Sequence, residues 1–242
     1  MRLLPFLVLT AAVVTVDIFA APHQRQVNAV LAPGYGDLEF IPPAPGSYRL
    51  PVLGQAADAK LVDSKGDSLT LYDLIVDKFT LLSFIYTSCS DVNGCPLASY
   101  VMSRVQRRVM TDEALKDLVR LVSFSFDPAN DTPEVLEQYA GHFRKPGSDW
   151  HFVTADSADE LNAILEAYDQ FVIREYDQEG NLLGSISHIL RVYLIDHNRE
   201  IRNIYSVSFL HPDTVINDIR TIVGRNLAEI VAGNYPGNPR EE

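Results

Sequence analysis

Nine residues, Phe79 to Thr87 (FTLLSFIYT), form a nearly unbroken apolar run. A strand carries such a run only when both of its faces are covered, so this chain must lay helices on either side of a sheet. Cys89 follows the run after Ser88, and Cys95-Pro96 then opens an amphipathic helix with Leu97, Tyr100, Val101, Val105 and Val109 on one stripe. Upstream, Leu61-Val62-Asp63 and Ser68 to Leu71 flank a Ser64-Lys65-Gly66-Asp67 turn and predict a hairpin. Downstream, strands are expected at Val119–Phe126, Trp150–Thr154, Phe171–Tyr176, Ile189–Ile195 and Ile201–Val207. Helices are expected at Pro133–Phe143, Ser157–Tyr168 and Thr214–Val231. Strands alternating with helices define the α/β class.

The ends of the chain read differently. Arg2 precedes Leu3 to Val16, fourteen residues without a charge, and residues 1–21 read as a secretory signal or an N-terminal membrane anchor. Export would put the domain on the periplasmic or other extracytoplasmic side, where thiols meet an oxidising compartment. Residues 22–49 hold five prolines and three glycines, and read as an extended, solvated spacer. Residues 50–232 form the folded domain and 233–242 a polar tail. The formal charge of −12 repels phosphate backbones, which argues against nucleic-acid binding.

Cys89 and Cys95 are the only cysteines, too few for a disulfide scaffold. They flank a strand-to-helix loop, and Cys95 is expected at the helix N-cap, where free amides favour a thiolate. Thiolates bind soft cations and attack disulfides. Two thiolates leave a metal site incomplete, and a neutral imidazole is the usual third donor. His23 lies in the spacer, His142 ends a helix and His197 sits in a polar turn; nothing points His151 or His211 at the loop. His188, just ahead of the strand at Ile189, is the candidate that a neighbouring strand can carry to the loop. Asp127 and Asp131 read as caps of the helix opened by Thr132-Pro133, and Asp91 as a solvated loop carboxylate.

Three segments together resemble the Sco/SenC family: Phe84 to Cys89 with Cys95-Pro96-Leu97, then Ser125 to Leu136, then Ile186-Ser187-His188 leading into Val192 to Asp196. They come in family order within roughly Gly54 to Val223. The resemblance implies a thioredoxin-like fold, a central mixed β-sheet flanked by α-helices, here with an N-terminal hairpin. It implies a copper ion held by Cys89, Cys95 and His188, and a metallochaperone that serves the copper centre of cytochrome c oxidase. It also implies a thiol reductase partner, because copper is loaded onto reduced thiols. The chain departs from the family at two points. The cysteines are spaced C-x₅-C where the family has C-x₃-C, with Asn93-Gly94 marking an insertion that predicts a freer loop. Asn130 stands where the family tends to have Arg, which predicts loss of an ion pair near the site.

Other readings use the same residues. Cys89 and Cys95 would be the catalytic pair of a thiol–disulfide oxidoreductase working without copper, with Cys95 as the more acidic thiol. A structural disulfide bond is the bland alternative. A peroxiredoxin-like peroxidase needs Thr three residues before its cysteine, where Tyr86 stands.

Overall fold

The computed structural model describes residues 29–174, 176–180 and 186–231, without the side chains of 226–231. The leader (1–21), the start of the spacer and the tail (233–242) lie outside the described residues. A compact unit begins at Leu31.

The apolar run becomes β4 (Phe79–Ile85), with all seven residues buried. It pairs in parallel with β5 (Val119–Ser125), which pairs in parallel with β6 (Trp150–Ala155). The hairpin forms from β2 (Lys60–Asp63) and β3 (Ser68–Thr70), and β2 joins the sheet antiparallel to β6. On the other side, β9 (Arg191–Ile195) pairs antiparallel with β4, then with β10 (Glu200–Ser206), and a two-residue β1 (Gly54–Gln55) closes that edge. The result is a mixed eight-stranded sheet in the order β1-β10-β9-β4-β5-β6-β2-β3.

Among the described residues, five α-helices accompany the sheet: α1 (Leu71–Ile75), α2 (Cys95–Thr111), α3 (Pro133–Phe143), α4 (Ala158–Ala167) and α5 (Pro212–Val231). The predicted stripe of α2 is its packed face, with Leu97, Val101 and Val105 fully buried. Thr132 caps α3 by accepting from the Val135 N–H, and Ser157 caps α4 from the Glu160 N–H.

Two expectations differ from the structure. The predicted strand Phe171–Tyr176 shortens to β7 (Val172–Ile173), and the predicted Ile189–Ile195 starts two residues later, as β9 (Arg191–Ile195). Ahead of it, Ser187–His188 (β8) pairs with β7 in a separate two-stranded ribbon. Ile189 is exposed and Leu190 buried, and neither is part of β8 or β9.

The expected spacer also differs from Ala32 onward, because it is seated on the domain. Ala32 is buried, and a 3₁₀ turn at Pro33–Tyr35 follows. Gly34 presses bare backbone against α2: a Cβ there would lie 2.2 Å from the Leu210 carbonyl oxygen and 3.1 Å from Leu97 and Val101. Further along, Tyr48 donates to Asp218 on α5 (2.5 Å), and the Gly46 N–H donates to Thr221 (3.0 Å). Proline content predicts extension, and the polar groups on α5 that receive the extended backbone are invisible to that rule.

Candidate metal and dithiol site

Strand β4 delivers Cys89 past its end, and α2 begins with Cys95. Because β9 runs antiparallel to β4 with Ser83 opposite Val192, the chain ahead of β9 lies beside the chain beyond β4. That register brings His188 to the cysteine loop. Its Nε2 is 4.0 Å from the Cys95 Sγ.

The two sulfurs are unequal. Cys95 is fully buried, whereas Cys89 is partly exposed. Both are free thiols in this structure. The Cys89 thiol is pushed down to about 6, chiefly by a hydrogen bond from the Cys95 thiol. Burial opposes that shift; the backbone amides of Cys95 and Asp91 and the Tyr86 hydroxyl reinforce it. Cys95 moves the other way: its hydrogen bond to Cys89, its burial and the charge on Cys89 all raise it. The expectation that Cys95 is the acidic thiol is therefore corrected. Gly94, not Cys95, is the N-cap of α2. The amides of Cys95 and Asp91 favour the thiolate of Cys89, while the Cys95 Sγ accepts the Tyr86 N–H (3.4 Å).

His188 packs its ring on Phe126, with centroids 4.7 Å apart, and edge-on to Tyr86 at 6.3 Å. Burial lowers its basicity, against the opposing pull of Asp91 and of the Phe84 carbonyl. A neutral ring is the form that ligates a metal. The Tyr86 hydroxyl is buried without a partner at full hydrogen-bond geometry. Burial first, then the neighbouring Cys89, keep it protonated.

Asp131 does not cap α3, which is the second correction. Its buried carboxylate accepts from the Thr87 N–H (3.0 Å), the Thr87 hydroxyl (2.5 Å) and the Ser125 hydroxyl (2.5 Å). It thereby ties the last turn before Cys89 to the end of β5. Asp127 holds the Asn130 amide (2.9 Å) and lies 3.9 Å from Arg174, whose guanidinium also donates to the Phe126 carbonyl (2.5 Å). Asn130 thus does not leave Asp127 without a cation; Arg174 supplies it from β7's flank. Sequence reasoning missed Asp131 as a latch and Arg174 as its neighbour's partner. The signal for the latch was a hydroxyl residue just beyond β4, Thr87, and another at the end of β5, Ser125.

The remaining described histidines are engaged elsewhere. His151 pairs with Asp149 (2.9 Å), His211 meets the Gly36 carbonyl (3.2 Å), His197 lies against Phe79, and His142 lies beside Phe143. Bonds of about 2.3 Å to a thiolate and about 2.0 Å to an imidazole span donor separations up to ~4.3 Å, so Cys95 and His188 suit a shared soft ion. Among the described residues, however, no three His, Cys, Asp or Glu side chains are grouped closely enough to hold a metal as they stand.

The fold and site define a class: a thioredoxin-like domain with a dithiol at a strand-to-helix loop and an imidazole beside it. The family model described as SCO1/SenC matches residues 56–224, and the chain belongs to that family. A SCO1 protein homolog of Bacillus subtilis (strain 168) is 25% identical over 142 residues, covering 58% of this chain and 69% of that protein. Yeast Sco1 with copper bound is similar at a TM-score of 0.55 and 21% identity, over 77% of this chain and 92% of that one. BsSco, described as a member of the Sco family of cytochrome c oxidase assembly proteins with a disulfide switch, is similar at a TM-score of 0.55 and 23% identity, over 71% of this chain and 95% of that one. At these identities the two structures speak for the fold alone.

Proposed function

We propose that this protein is a metallochaperone that holds Cu(I) through Cys89, Cys95 and His188 and delivers it to the copper-centre subunit of cytochrome c oxidase. Copper is cargo in this reading. The observation that carries it is the approach of a neutral imidazole to a reduced, paired dithiol, 4.0 Å from Cys95. Two sulfurs and one nitrogen are the soft donor set that prefers Cu(I) over hard cations. Family membership supports the same cargo. Loading needs both thiols reduced, so a thiol reductase is the implied upstream partner. The basic and apolar start of the chain supports export to the periplasmic or other extracytoplasmic side, as a cleaved or anchored protein. Among the described residues, no helix is long and apolar enough to cross a membrane.

A second reading is thiol–disulfide exchange without copper. It is favoured by one observation: a partly exposed, acidified Cys89 backed by a buried Cys95, the arrangement of an attacking and a resolving thiol. Anaerobic titration of the reduced protein with Cu(I) against a competing chelator separates the two. The chaperone reading expects one equivalent bound, with marked loss in Cys89→Ala, Cys95→Ala and His188→Ala. Unaltered copper binding in His188→Ala would remove the three-donor site. Copper-independent reduction of a substrate disulfide, abolished by Cys89→Ala, would favour exchange.

A further inference from the structure

The C-x₅-C spacing predicts a freer loop, yet the inserted residues are fastened at both ends. Within the loop, the Asp91 side chain accepts from the Asn93 N–H (3.0 Å) and its carbonyl from the Gly94 N–H (2.9 Å). From outside, the Asn93 side-chain carbonyl accepts from the Ala32 N–H (2.8 Å). The Tyr35 hydroxyl donates to the Val92 carbonyl (2.5 Å). The strap that supplies these contacts is itself anchored. Tyr35 packs on Tyr100 of α2 with ring centroids 5.0 Å apart, Gly34 is wedged against the Leu210 carbonyl, and the Gly36 carbonyl meets His211.

We propose that residues 32–36 are a clamp on the cysteine loop, in which Tyr35 and Asn93 are positioning residues that keep the two sulfurs paired in the reduced protein. The clamp rests on the reading that Cys89 and Cys95 are the working groups, and it holds for either cargo or exchange. Ordering a residue's backbone costs about 1–2 kcal/mol, so a five-residue loop left untied would spread over many conformations. Each sulfur would then meet the other at a lower effective concentration. Every event that joins the sulfurs weakens together: closure of a disulfide, or chelation of one ion by both.

The metal-free arm of the test is decisive. Parent, Tyr35→Phe, Asn93→Ala and Tyr48→Phe are equilibrated in mixtures of reduced and oxidised glutathione. The two thiols lose two protons and two electrons, forming the Cys89–Cys95 bond, and glutathione disulfide becomes two glutathione thiols. The oxidised fraction is read by alkylation and mass. Tyr35→Phe keeps the ring and removes one hydrogen bond, so the equilibrium constant for disulfide formation is expected to fall on the order of fivefold. Asn93→Ala falls at least as far. Tyr48→Phe loosens the strap at α5, away from the loop, and stays at the parent value. Parent-like constants in Tyr35→Phe and Asn93→Ala overturn the clamp. So does an equal fall in Tyr48→Phe, which would signal general loosening. If Asn93→Ala fails to fold, Tyr35→Phe decides alone. Absence of copper binding by the parent would sink the chaperone reading and leave this result standing.

Discussion

The two arms that meet at the site are built unlike each other. The sulfur arm grows from β4, buried along its whole length between two strands, and is latched by Asp131. The imidazole arm is β8, two residues paired with two residues of β7, beside the exposed side chains of Phe171, Ile173 and Ile189. One arm is fixed by the core, and the other is held by a short ribbon. Such a division teaches where adjustment is cheap. For the proposed three-donor site, moving the imidazole disturbs less packing than moving the sulfurs.

That comparison can be broken at its fixed side first. Asp131→Ala removes the acceptor of three donors from a buried position and is expected to cost about 3 kcal/mol in urea unfolding. A loss below ~1 kcal/mol would show the latch to be ornamental. On the other side, His188→Ala is expected to leave unfolding nearly unchanged. It should weaken Cu(I) binding by at least the ~10–100-fold that loss of an outer-shell partner costs. A large drop in stability there would erase the distinction between the arms. Thr87→Val sharpens the picture: it deletes the hydroxyl donor to Asp131 while the Thr87 N–H remains, so about 1 kcal/mol is expected.

The smallest effect is expected at the far end of the sheet, ahead of β6. Burial raises the Asp149 carboxyl, but hydrogen bonds from His151 and Arg120 more than offset it and hold it well below the usual range. Because it is more acidic folded than unfolded, its contribution is complete above pH ~4 and is lost as the pH falls towards the folded value. Asp149→Asn should therefore trail the parent at neutral pH by less than about 1 kcal/mol, with the gap closing on acidification. A gap that stays constant down to pH 2 would contradict this account.

Long periodic segments were legible from residues alone. The β4 run, the α2 stripe and the Pro133–Phe143 helix form where hydrophobic pattern and proline placement put them, because core burial and helix starts are local signals. His188 could be singled out by its place ahead of a strand, although its reach to the loop depends on the β4–β9 register, which no single segment encodes. Three features stayed hidden. The order of the two thiols depends on which sulfur receives the amides and which is buried. The Asp131 latch joins residues forty-four positions apart. The strap is proline-rich chain whose partners lie on α2 and α5, far along the sequence.

Gly34 gives that strap a single seat. With its backbone wedged beside the Leu210 carbonyl, neither Pro33 nor Tyr35 can take its place, so the segment cannot creep one residue along the helix in either direction. The length of chain between this point and Gly54, where the sheet edge begins, is thereby set like a measured cord. Insertions or deletions between them must bulge or strain.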